Sequence, residues 1–235
     1  MLIRKLKFIG SLVLFLLYGV SLFQLHQDYN QVLPATALVQ HSGKYFIFVD
    51  CVESKLYLFQ NGELIKTYNC AGGKPSTPSP IGTWTIVSKG RWAEGFGGSW
   101  MGFNVPWGKF GIHGNNDPQR NIGWPSSMGC IRMKNDEVRE LYNMVPIGTK
   151  VQIEDGPFGD FGRGFRLLSS GQYGSDVKQV QMALKKQGYY HGAAHGYFDQ
   201  GTLNSVKKFQ KDHQMAVQDR IYHGFYEKLG LFLFQ

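Results

Sequence analysis

The sequence contains few cysteines and few acidic residues, and both shortages exclude classes of protein. With 3 cysteines in 235 residues, the chain cannot form the framework of several disulfides that holds small secreted domains together. The 17 acidic residues are outnumbered by 25 lysines and arginines. No basic stripe with interleaved aromatic residues is present, however, so we do not expect a nucleic-acid-binding protein. The net charge of +8 instead suits an anionic polymer or an anionic lipid surface.

Sequence motifs for cofactors and metals are also missing. Gly72 and Gly73 precede Lys74 but lack the G-x-x-x-x-G-K frame of a phosphate-binding loop. Several carboxy-terminal histidines have spacings that match no known pattern of zinc ligands, and we expect them at the surface. These are His191, His195, His213 and His223. We therefore predict that the protein needs no metal and no organic cofactor.

A long apolar run stands near the amino terminus. Residues 8–25 are 18 consecutive uncharged residues, preceded by three basic residues within the first seven positions. The run is at the short end of what spans a bilayer and longer than the usual apolar core of a signal peptide. A small-x-small motif at residues 35–37 lies far beyond it. We expect residues 1–25 to be an uncleaved signal anchor rather than a cleaved signal peptide, with the rest of the chain exported.

The next part of the chain has the pattern of a loop-rich β domain. Its content of 30 glycines and 14% aromatic residues is typical of such a domain rather than of a helical bundle. Asn61-Gly62 is the strongest hairpin signal in the chain, and residues 136–145 have helical spacing of apolar positions. The predicted strands are residues 45–49, 55–60, 63–69, 83–88 and 150–153.

Two reactive side chains, His113 and Cys130, stand at the ends of one glycine-, asparagine- and proline-rich segment. The composition predicts a strand that ends at His113, a long loop, and a tight turn at Cys130 that opens a helix near Asn135. A cysteine at a helix amino terminus is in a setting that favours the thiolate, and an imidazole can take the thiol proton. Gly129 leaves room for backbone N–H groups to face a developing oxyanion.

The same residues resemble the catalytic signature of the L,D-transpeptidase family. The signature consists of Ile-His-Gly at residues 112–114 and Ser-x-Gly-Cys-x-Arg-Met at residues 127–133, with 16 residues between the histidine and the cysteine. The resemblance extends over about Lys44–Asp155. It implies a mainly β catalytic domain, sandwich-like or barrel-like, with one short helix.

The resemblance assigns catalytic roles to four of these residues. Cys130 is the expected nucleophile, and His113 is the expected base. The backbone carbonyl of Gly114 is expected to orient the imidazole, so no acidic side chain is needed, and Asp117 is interpreted as a loop residue. Backbone N–H groups near Gly129 and Cys130 are expected to bind the oxyanion.

The resemblance also assigns residues to substrate binding. Arg132 is expected in the cleft, where it either holds the active-site loop or binds a substrate carboxylate. Ser127 is expected to hydrogen-bond substrate, and Met128 stands where the family often has histidine, so only its backbone is expected to line the site. Gly90–Gly102 resembles the family's lid over the cleft, with an ordinary loop as the alternative. Trp107 and Trp124 are interpreted as packing residues or loop anchors.

The implied function is peptidoglycan cross-linking. In this reaction the cysteine attacks a tetrapeptide stem ahead of its terminal D-alanine, and an amine resolves the thioester. Carbapenem β-lactams are expected to acylate Cys130. The alternatives are an L,D-carboxypeptidase that uses water as acceptor and a non-catalytic wall-binding protein.

The carboxy-terminal part changes character after a glycine-rich linker. Its pattern predicts helices that begin at Ser175, as the cap, and at Thr202. The stretch Gly174–His213 resembles a three-helix peptidoglycan-binding module, and the residues after it depart from that family's pattern. The predicted organisation is a signal anchor (1–25), a linker (26–43), the catalytic domain (44–156), a linker (157–166) and the helical domain (167–235).

Two cysteines remain outside this site. Cys51 lies near a predicted hairpin turn, and Cys70 ends the third strand of the same meander. Either they form a disulfide, which suits an exported protein, or they are two small buried thiols.

Overall fold

A computed structural model of the chain describes residues 44–91, 96–115 and 122–233. The predicted signal anchor at residues 1–25, the linker at residues 26–43 and the loop residue Asp117 lie outside these ranges. In the part that is described, no helix is both long enough and apolar enough to cross a bilayer. The described residues belong to one compact unit of the chain.

The first three strands form an antiparallel meander. β1 (Tyr45–Asp50) pairs with β2 (Lys55–Gln60), and β2 pairs with β3 (Glu63–Asn69). Asn61 and Gly62, between β2 and β3, have φ angles of 52° and 87°. Two consecutive positive φ angles are what a tight hairpin turn requires, and Asn-Gly adopts them most readily. The predicted hairpin is therefore confirmed at this position.

Five more strands complete a mainly β sheet. They are β4 (Gly82–Gly90), β5 (Trp100–Phe103), β6 (Gly111–His113), β7 (Ile131–Arg132) and β8 (Lys150–Glu154). The eight strands follow the order β3-β2-β1-β8-β4-β5-β6-β7. β4 connects the two halves, since residues 82–85 pair with β8 and residues 86–90 pair with β5. β6 and β7, which carry or adjoin the predicted catalytic residues, form a parallel pair at the end of this order.

One helix, α1 (Asn135–Met144), follows β7. It buries Val138 and Leu141 completely, and these residues occupy one face because they are three positions apart. Lys89 donates hydrogen bonds from Nζ to the carbonyl oxygens of Tyr142 and Val145, at the carboxy-terminal end of the helix, where a positive charge is favoured. The predicted helix is thus confirmed within one residue at each end.

The carboxy-terminal part is helical. After a short 3-10 helix (Gly159–Phe161) it contains β9 (Leu168–Ser169), α2 (Ser175–Lys186), α3 (Gln200–Asp212), β10 (Arg220–Ile221) and α4 (His223–Lys228). The apolar face of α2 is fully buried, as its spacing predicts; the residues are Val177, Val180 and Leu184. The fold class is confirmed in its coarse form, a mainly β part followed by a helical part.

The expectation that Ser175 caps α2 is wrong. Gly174 occupies the cap position, and no side chain caps the helix there. The hydroxyl of Ser175 instead donates a hydrogen bond to the carbonyl oxygen of Ile81, in the loop before β4. A capping serine accepts a hydrogen bond from a backbone N–H of its own helix, whereas the Ser175 hydroxyl donates to a distant carbonyl oxygen.

The packing contains two hydrophobic clusters. One fills the sheet beneath α1 and includes Ile47, Leu58 and Ile112. The other lies among α2, α3 and α4 and includes Val180, Phe209 and Phe225. The domain boundaries given above stay predictions.

Cys51 and Cys70 are free thiols in this structure, and both are buried. Of the two possibilities that the sequence left open, the structure therefore has the pair of buried thiols. Burial raises the pKa of Cys51 to about 12, with the nearby Asp155 carboxylate adding to the effect. Burial also raises the pKa of Cys70 well above its ordinary value.

Candidate active site

β6 presents His113 at its last position, as the sequence predicts. The imidazole is 6% exposed. It is covered by aromatic side chains from the segment before and within β5, with the Phe96 ring centroid at 4.9 Å and that of Trp100 at 5.9 Å. These rings exclude water from one side of the imidazole and restrict its rotation.

A backbone carbonyl sets the tautomer of His113. Nδ1 lies 2.6 Å from the carbonyl oxygen of Gly114. A carbonyl oxygen can only accept a hydrogen bond, so Nδ1 carries the proton and Nε2 carries the free lone pair. This contact is the one that the sequence predicts for Gly114, and no carboxylate is needed for it.

Gly114 is itself held from two sides. Its N–H donates to the carbonyl oxygen of Phe96 at 3.0 Å. A Cβ at Gly114 would lie 2.3 Å from Oδ1 of Asn135 and 2.8 Å from the Cα of Gly97. Asn135 Oδ1 accepts the N–H of Asn115 at 2.8 Å. The turn after His113 therefore fits only glycine, and Asn135 fixes its position.

The sequence interpretation treated Asn135 only as the start of a helix. Its position at the first residue of α1 was visible, but an asparagine is common at helix starts and needs no further explanation. Nothing local in the sequence indicates that its side chain turns back toward residue 115. The pairing of β6 with β7 creates that contact.

The register between β6 and β7 brings Cys130 toward His113. Ile112 pairs with Ile131, and His113 pairs with Arg132. Side chains alternate between the two faces of a sheet, so Cys130, immediately before β7, shares a face with His113 and Arg132. A diagonal of two residues and one strand spacing corresponds to about 8 Å between the Cα atoms of His113 and Cys130. Ile112 and Ile131, on the opposite face, are completely buried.

The helix begins at Asn135, as predicted, but Cys130 does not lie at its amino terminus. β7 stands between Cys130 and α1, so the helix begins five residues after the cysteine. Burial raises the pKa of the Cys130 thiol, although a hydrogen bond with the Gly111 backbone and the positive charge of Arg132 partly offset it. Burial lowers the pKa of His113 to about 4, opposed by the Gly114 hydrogen bond and assisted by the Arg132 charge. The pair is therefore a neutral thiol and a neutral imidazole near pH 7.

Ser127 braces the loop that carries the cysteine. Its hydroxyl donates to the carbonyl oxygen of Cys130 at 2.6 Å and accepts the N–H of Gly129 at 2.9 Å. The side chain is 1% exposed. The Ser127 hydroxyl, expected to contact a substrate, and the N–H of Gly129, expected near an oxyanion, are thus both engaged within the loop.

The backbone of Gly129 lies against Phe110. With φ at +110°, Gly129 has a conformation that residues with a Cβ rarely adopt. A Cβ there would lie 2.5 Å from Cε1 of Phe110 and 3.0 Å from the carbonyl oxygen of Pro78. The residue before Cys130 is therefore held between an aromatic ring and a neighbouring loop. Phe110 was not identified as a site residue from the sequence, since a phenylalanine before a strand reads as core.

Arg132 and Met128 have different environments. The backbone of Arg132 exchanges hydrogen bonds with Ala71 at 2.8 and 2.9 Å, and its guanidinium donates to Ser126 Oγ at 3.4 Å. Its charge influences both His113 and Cys130, so it lies close to both residues. The Met128 side chain is 71% exposed.

The two tryptophans interpreted as packing residues or loop anchors have different environments in the structure. Trp107 packs edge-on against Trp84 at 5.2 Å, which agrees with the interpretation. Trp124 is 76% exposed, so for this residue the interpretation is wrong. The backbone of the preceding residue is nevertheless fixed by a hydrogen bond, since Ser54 Oγ donates to the carbonyl oxygen of Gly123 at 2.9 Å.

The segment predicted as a lid, Gly90–Gly102, is only partly described. Its end belongs to the buried strand β5, which lies within the sheet and does not cover a cleft. Residues 96–99 lie next to the site through the ring of Phe96. Across residues 44–91, 96–115 and 122–233, no group of three or more His, Cys, Asp or Glu side chains is arranged to hold a metal ion.

Comparison with known protein families gives two matches. Residues 44–153 match the L,D-transpeptidase catalytic domain, called YkuD. Residues 173–219 match a family described as a peptidoglycan binding domain. The first match includes His113 and Cys130, and the second begins at Tyr173.

The chain is also similar to individual proteins. The L,D-transpeptidase YkuD of Bacillus subtilis is 41% identical over 110 residues, which are 46% of this chain and 65% of that protein. YqjB of the same organism, also described as an L,D-transpeptidase, is 31% identical over 129 residues, which are 48% of this chain and 73% of YqjB. The chain thus spans slightly less than two thirds of the YkuD relative.

Among solved structures, a crystal structure of a mutant L,D-transpeptidase from Enterococcus faecium is 27% identical, with a TM-score of 0.42 over 47% of this chain and 50% of that one. An L,D-transpeptidase from Mycobacterium smegmatis is 22% identical, with a TM-score of 0.41 over 47% and 58% of the two chains.

Proposed function

Since this chain belongs to the L,D-transpeptidase family, we propose that it is a cysteine-dependent L,D-transpeptidase acting on peptidoglycan stem peptides. The observation that carries the proposal is the arrangement of His113. Its Nδ1–H is bound to the Gly114 carbonyl, and the ring lies on the sheet face that Cys130 shares. A base with a fixed lone pair on the same sheet face as a thiol supports cysteine acyl transfer, in which an imidazole takes the thiol proton.

The first chemical step forms a thioester. Cys130 Sγ attacks the carbonyl between the third stem residue and the terminal D-alanine, and His113 Nε2 takes the thiol proton as the S–C bond forms. Because both groups are neutral near pH 7, proton transfer accompanies the attack instead of preceding it. When the C–N bond breaks, the imidazolium returns its proton to the leaving amine of D-alanine.

The tetrahedral intermediate needs hydrogen-bond donors for its oxyanion. The N–H of Gly129 already donates to Ser127 Oγ, so we assign the N–H of Cys130 as the backbone donor to the oxyanion. Ser127 holds that N–H in place, because its hydroxyl also bonds the Cys130 carbonyl oxygen. Its contribution is to position the nucleophile loop.

Arg132 supplies the positive charge of the site. A guanidinium on the same face as His113 and Cys130 can bind a substrate carboxylate through two hydrogen bonds, such as the carboxylate of the terminal D-alanine. It also holds the loop through Ser126. Trp124 and Met128 are exposed in that same loop, and they offer an apolar rim to a bound stem.

The second chemical step decides the product. An amine from a neighbouring stem attacks the thioester carbonyl, His113 removes its proton, and Cys130 leaves as a thiol with that proton. The product is a cross-link, and no external oxidant or cofactor takes part. Hydrolysis by water would give a tripeptide instead.

The remaining parts of the chain suit a protein that acts on the cell wall. The match of residues 173–219 to a peptidoglycan binding domain supports binding of the wall polymer by the helical part. The apolar run at residues 8–25 supports an amino-terminal membrane anchor with an extracytoplasmic catalytic part. Proteolysis of intact cells, compared with lysed cells, tests this location, because an exported enzyme is cut in both.

The proposed activity is tested with purified protein and two reagents. Mixing with a disaccharide-tetrapeptide is expected to yield cross-linked dimer, detected by mass spectrometry together with released D-alanine. Mixing with a carbapenem is expected to add one inhibitor mass to the intact protein, since the strained amide acylates an activated thiol without a leaving amine. Cys130→Ala should lose both products, while Cys51→Ala, at a thiol outside the site, should keep them.

Three outcomes would change the assignment. Tripeptide without dimer would indicate an L,D-carboxypeptidase. Neither product and no adduct, in protein that folds normally, would indicate a non-catalytic wall-binding protein. An adduct that persists in Cys130→Ala would place the reactive thiol elsewhere.

A further inference from the structure

The helical part of the chain contacts the nucleophile loop through one aromatic residue. Tyr173, just before α2, packs against the hydrophobic cluster of the sheet. Its ring lies edge-on to that of Phe110, with centroids 5.9 Å apart and an interplanar angle of 64°. Phe110 is 4% exposed and lies against the backbone of Gly129. A continuous line of contact therefore runs from Tyr173 through Phe110 to the residue before Cys130.

A second contact reaches the opposite side of the same loop. Ser175 donates its hydroxyl hydrogen bond to the carbonyl oxygen of Ile81. Pro78, in the same short segment as Ile81, has its carbonyl oxygen 3.0 Å from where a Cβ of Gly129 would stand. Gly129 is thus confined by two neighbours, Phe110 and Pro78, and residues 173–175 contact both of the segments that carry them.

Tyr173 is well placed to act as a fixed support. Its backbone forms a β-bridge with Tyr197. Its carbonyl oxygen accepts a hydrogen bond from Nη2 of Arg166 at 3.0 Å, and Arg166 binds Asp176 with two hydrogen bonds of 2.6 and 2.8 Å. A bidentate ion pair of this kind is geometrically restrictive. The ring of Tyr173 therefore has little freedom to withdraw from Phe110.

We propose that Tyr173 is a positioning residue for the acyl-transfer site: through Phe110 it holds the Gly129 backbone, and with it the N–H and Sγ of Cys130, in the geometry of attack. The inference rests on the proposed function. It gives the helical part a role in the chemistry that is separate from any binding of wall polymer.

The physical reason is that acyl transfer is sensitive to small displacements of the reacting atoms. A displacement of about 1 Å at the reacting atoms can cost on the order of 100-fold in rate. Gly129 has no side chain of its own to anchor it, so the Phe110 ring defines one wall of its position. Removing the ring of Tyr173 would leave the Phe110 ring free to tilt into the vacated space. The loop that carries Gly129 and Cys130 would then shift with it.

The test compares three variants by their reaction with a saturating carbapenem. Tyr173→Ala is expected to lower the first-order acylation rate constant by about tenfold, less than the cost of on the order of 100-fold for a 1 Å misplacement, with the half-saturating concentration unchanged. Tyr173→Phe keeps the ring and should restore the wild-type rate constant. Tyr197→Ala is the matched control, because Tyr197 shares the β-bridge but is 43% exposed, and its ring lies beside that of His195.

Alkylation of Cys130 by iodoacetamide separates positioning from general damage. This reaction uses the same sulfur but develops no oxyanion, so Tyr173→Ala should leave its rate near that of the wild type. A parallel loss in both reactions would indicate a loosened fold and would contradict the inference. If Tyr173→Ala does not fold, Tyr173→Leu, which retains apolar volume without a ring edge, should show the same selective loss of acylation.

The remaining outcomes are distinct. Equal acylation rate constants for wild type and Tyr173→Ala, or an equal loss in Tyr197→Ala, would overturn the inference and leave the proposed function in place. A folded wild-type protein that neither acylates nor cross-links would overturn the proposed function, and this inference with it.

Discussion

The surroundings of Cys130 and those of Cys51 and Cys70 differ less in burial than in what lies beside each sulfur. Burial raises the thiol pKa at all three positions. At Cys130 a backbone hydrogen bond and the Arg132 charge oppose that rise. At Cys51 the carboxylate of Asp155 adds to it, although a hydrogen bond with Ser79 and the Arg163 charge oppose it there as well. Only Cys130 also shares a sheet face with an imidazole of fixed tautomer.

The comparison indicates what makes a nucleophile in this protein. A helix amino terminus does not supply the activation, because β7 separates Cys130 from α1. A permanent thiolate does not supply it either, since both partners are neutral near pH 7. What distinguishes Cys130 from two thiols that are otherwise chemically similar is the proposed base, His113, on the same sheet face.

His113→Gln should make Cys130 behave more like Cys51. Glutamine can keep a hydrogen bond near Gly114 but cannot accept the thiol proton. We expect acylation by a carbapenem to slow by about 100- to 10,000-fold, the usual contribution of a general base. Stopped-flow fluorescence or timed intact mass gives the rate constant. A variant that retains more than about a third of the wild-type rate constant would show that the base is elsewhere.

Gly129→Ala should disturb the loop that sets Cys130 apart from the other thiols. The new Cβ would meet Phe110 at 2.5 Å in a backbone conformation with φ at +110°. We expect acylation to fall on the order of 100-fold. Gly123→Ala is the control, since Gly123 also has a positive φ, +124°, but nothing within 4 Å of its Cβ position.

The two glycine variants distinguish the effect of backbone strain from that of a steric clash with Phe110. Both introduce an unfavourable φ, which costs about 1–2 kcal/mol of stability. Only Gly129→Ala also displaces the nucleophile loop. Thermal unfolding together with acylation kinetics should therefore show two destabilised proteins and one slow enzyme. Similar kinetics for both would argue against a constrained loop.

The pH dependence should follow the depressed pKa of His113. The imidazole must be neutral to act as base, and its pKa is lowered from 6.5 to about 4. Acylation should therefore persist at pH 5 and fall as the pH drops through about 4. A titration of the acylation rate constant between pH 3.5 and 8, using a buffer series of constant ionic strength, measures this limb. An acid limb centred near 6.5 would contradict a buried imidazole.

The free energy of unfolding should also depend on pH because of the lowered pKa of His113. Between pH 6.5 and about 4 the unfolded chain binds a proton at His113 that the folded chain does not bind. The contribution of this residue is therefore fully present above pH 6.5 and is lost as the pH falls toward 4. Denaturant unfolding at pH 7 and pH 4.5 should show a smaller loss of stability in His113→Gln than in the wild type.

The smallest effects are expected at Cys51 and Cys70, both in reaction with iodoacetamide and on substitution. Both thiols are buried and protonated, so iodoacetamide should modify them only after unfolding. Peptide mapping of the folded protein should find label at Cys130 alone. Cys51→Ala should change acylation by less than about twofold and stability by about 1 kcal/mol, the typical effect of a small buried substitution. Rapid labelling of Cys51 in the folded state would remove the distinction between the three thiols.

Much of the local structure followed from sequence patterns. The Asn61-Gly62 hairpin, the strand that ends at His113 and helix α1 were all predicted within a few residues, because turn chemistry and apolar spacing act over short distances. The signature also led to Cys130, His113 and the Gly114 carbonyl. The errors came where a long-range partner replaced a local one, as with Ser175, which bonds Ile81 instead of capping a helix.

What the sequence by itself determined is the identity of the proposed reacting groups and the elements that carry them. Only the tertiary structure decided how they are held. The parallel register of β6 and β7 turns Cys130 and His113 toward one face, and burial among Phe96 and Trp100 makes the imidazole a neutral base. Phe110 and Pro78 confine Gly129, and Tyr173 packs against Phe110. Such properties depend on residues far apart in the chain, and no local pattern encodes them.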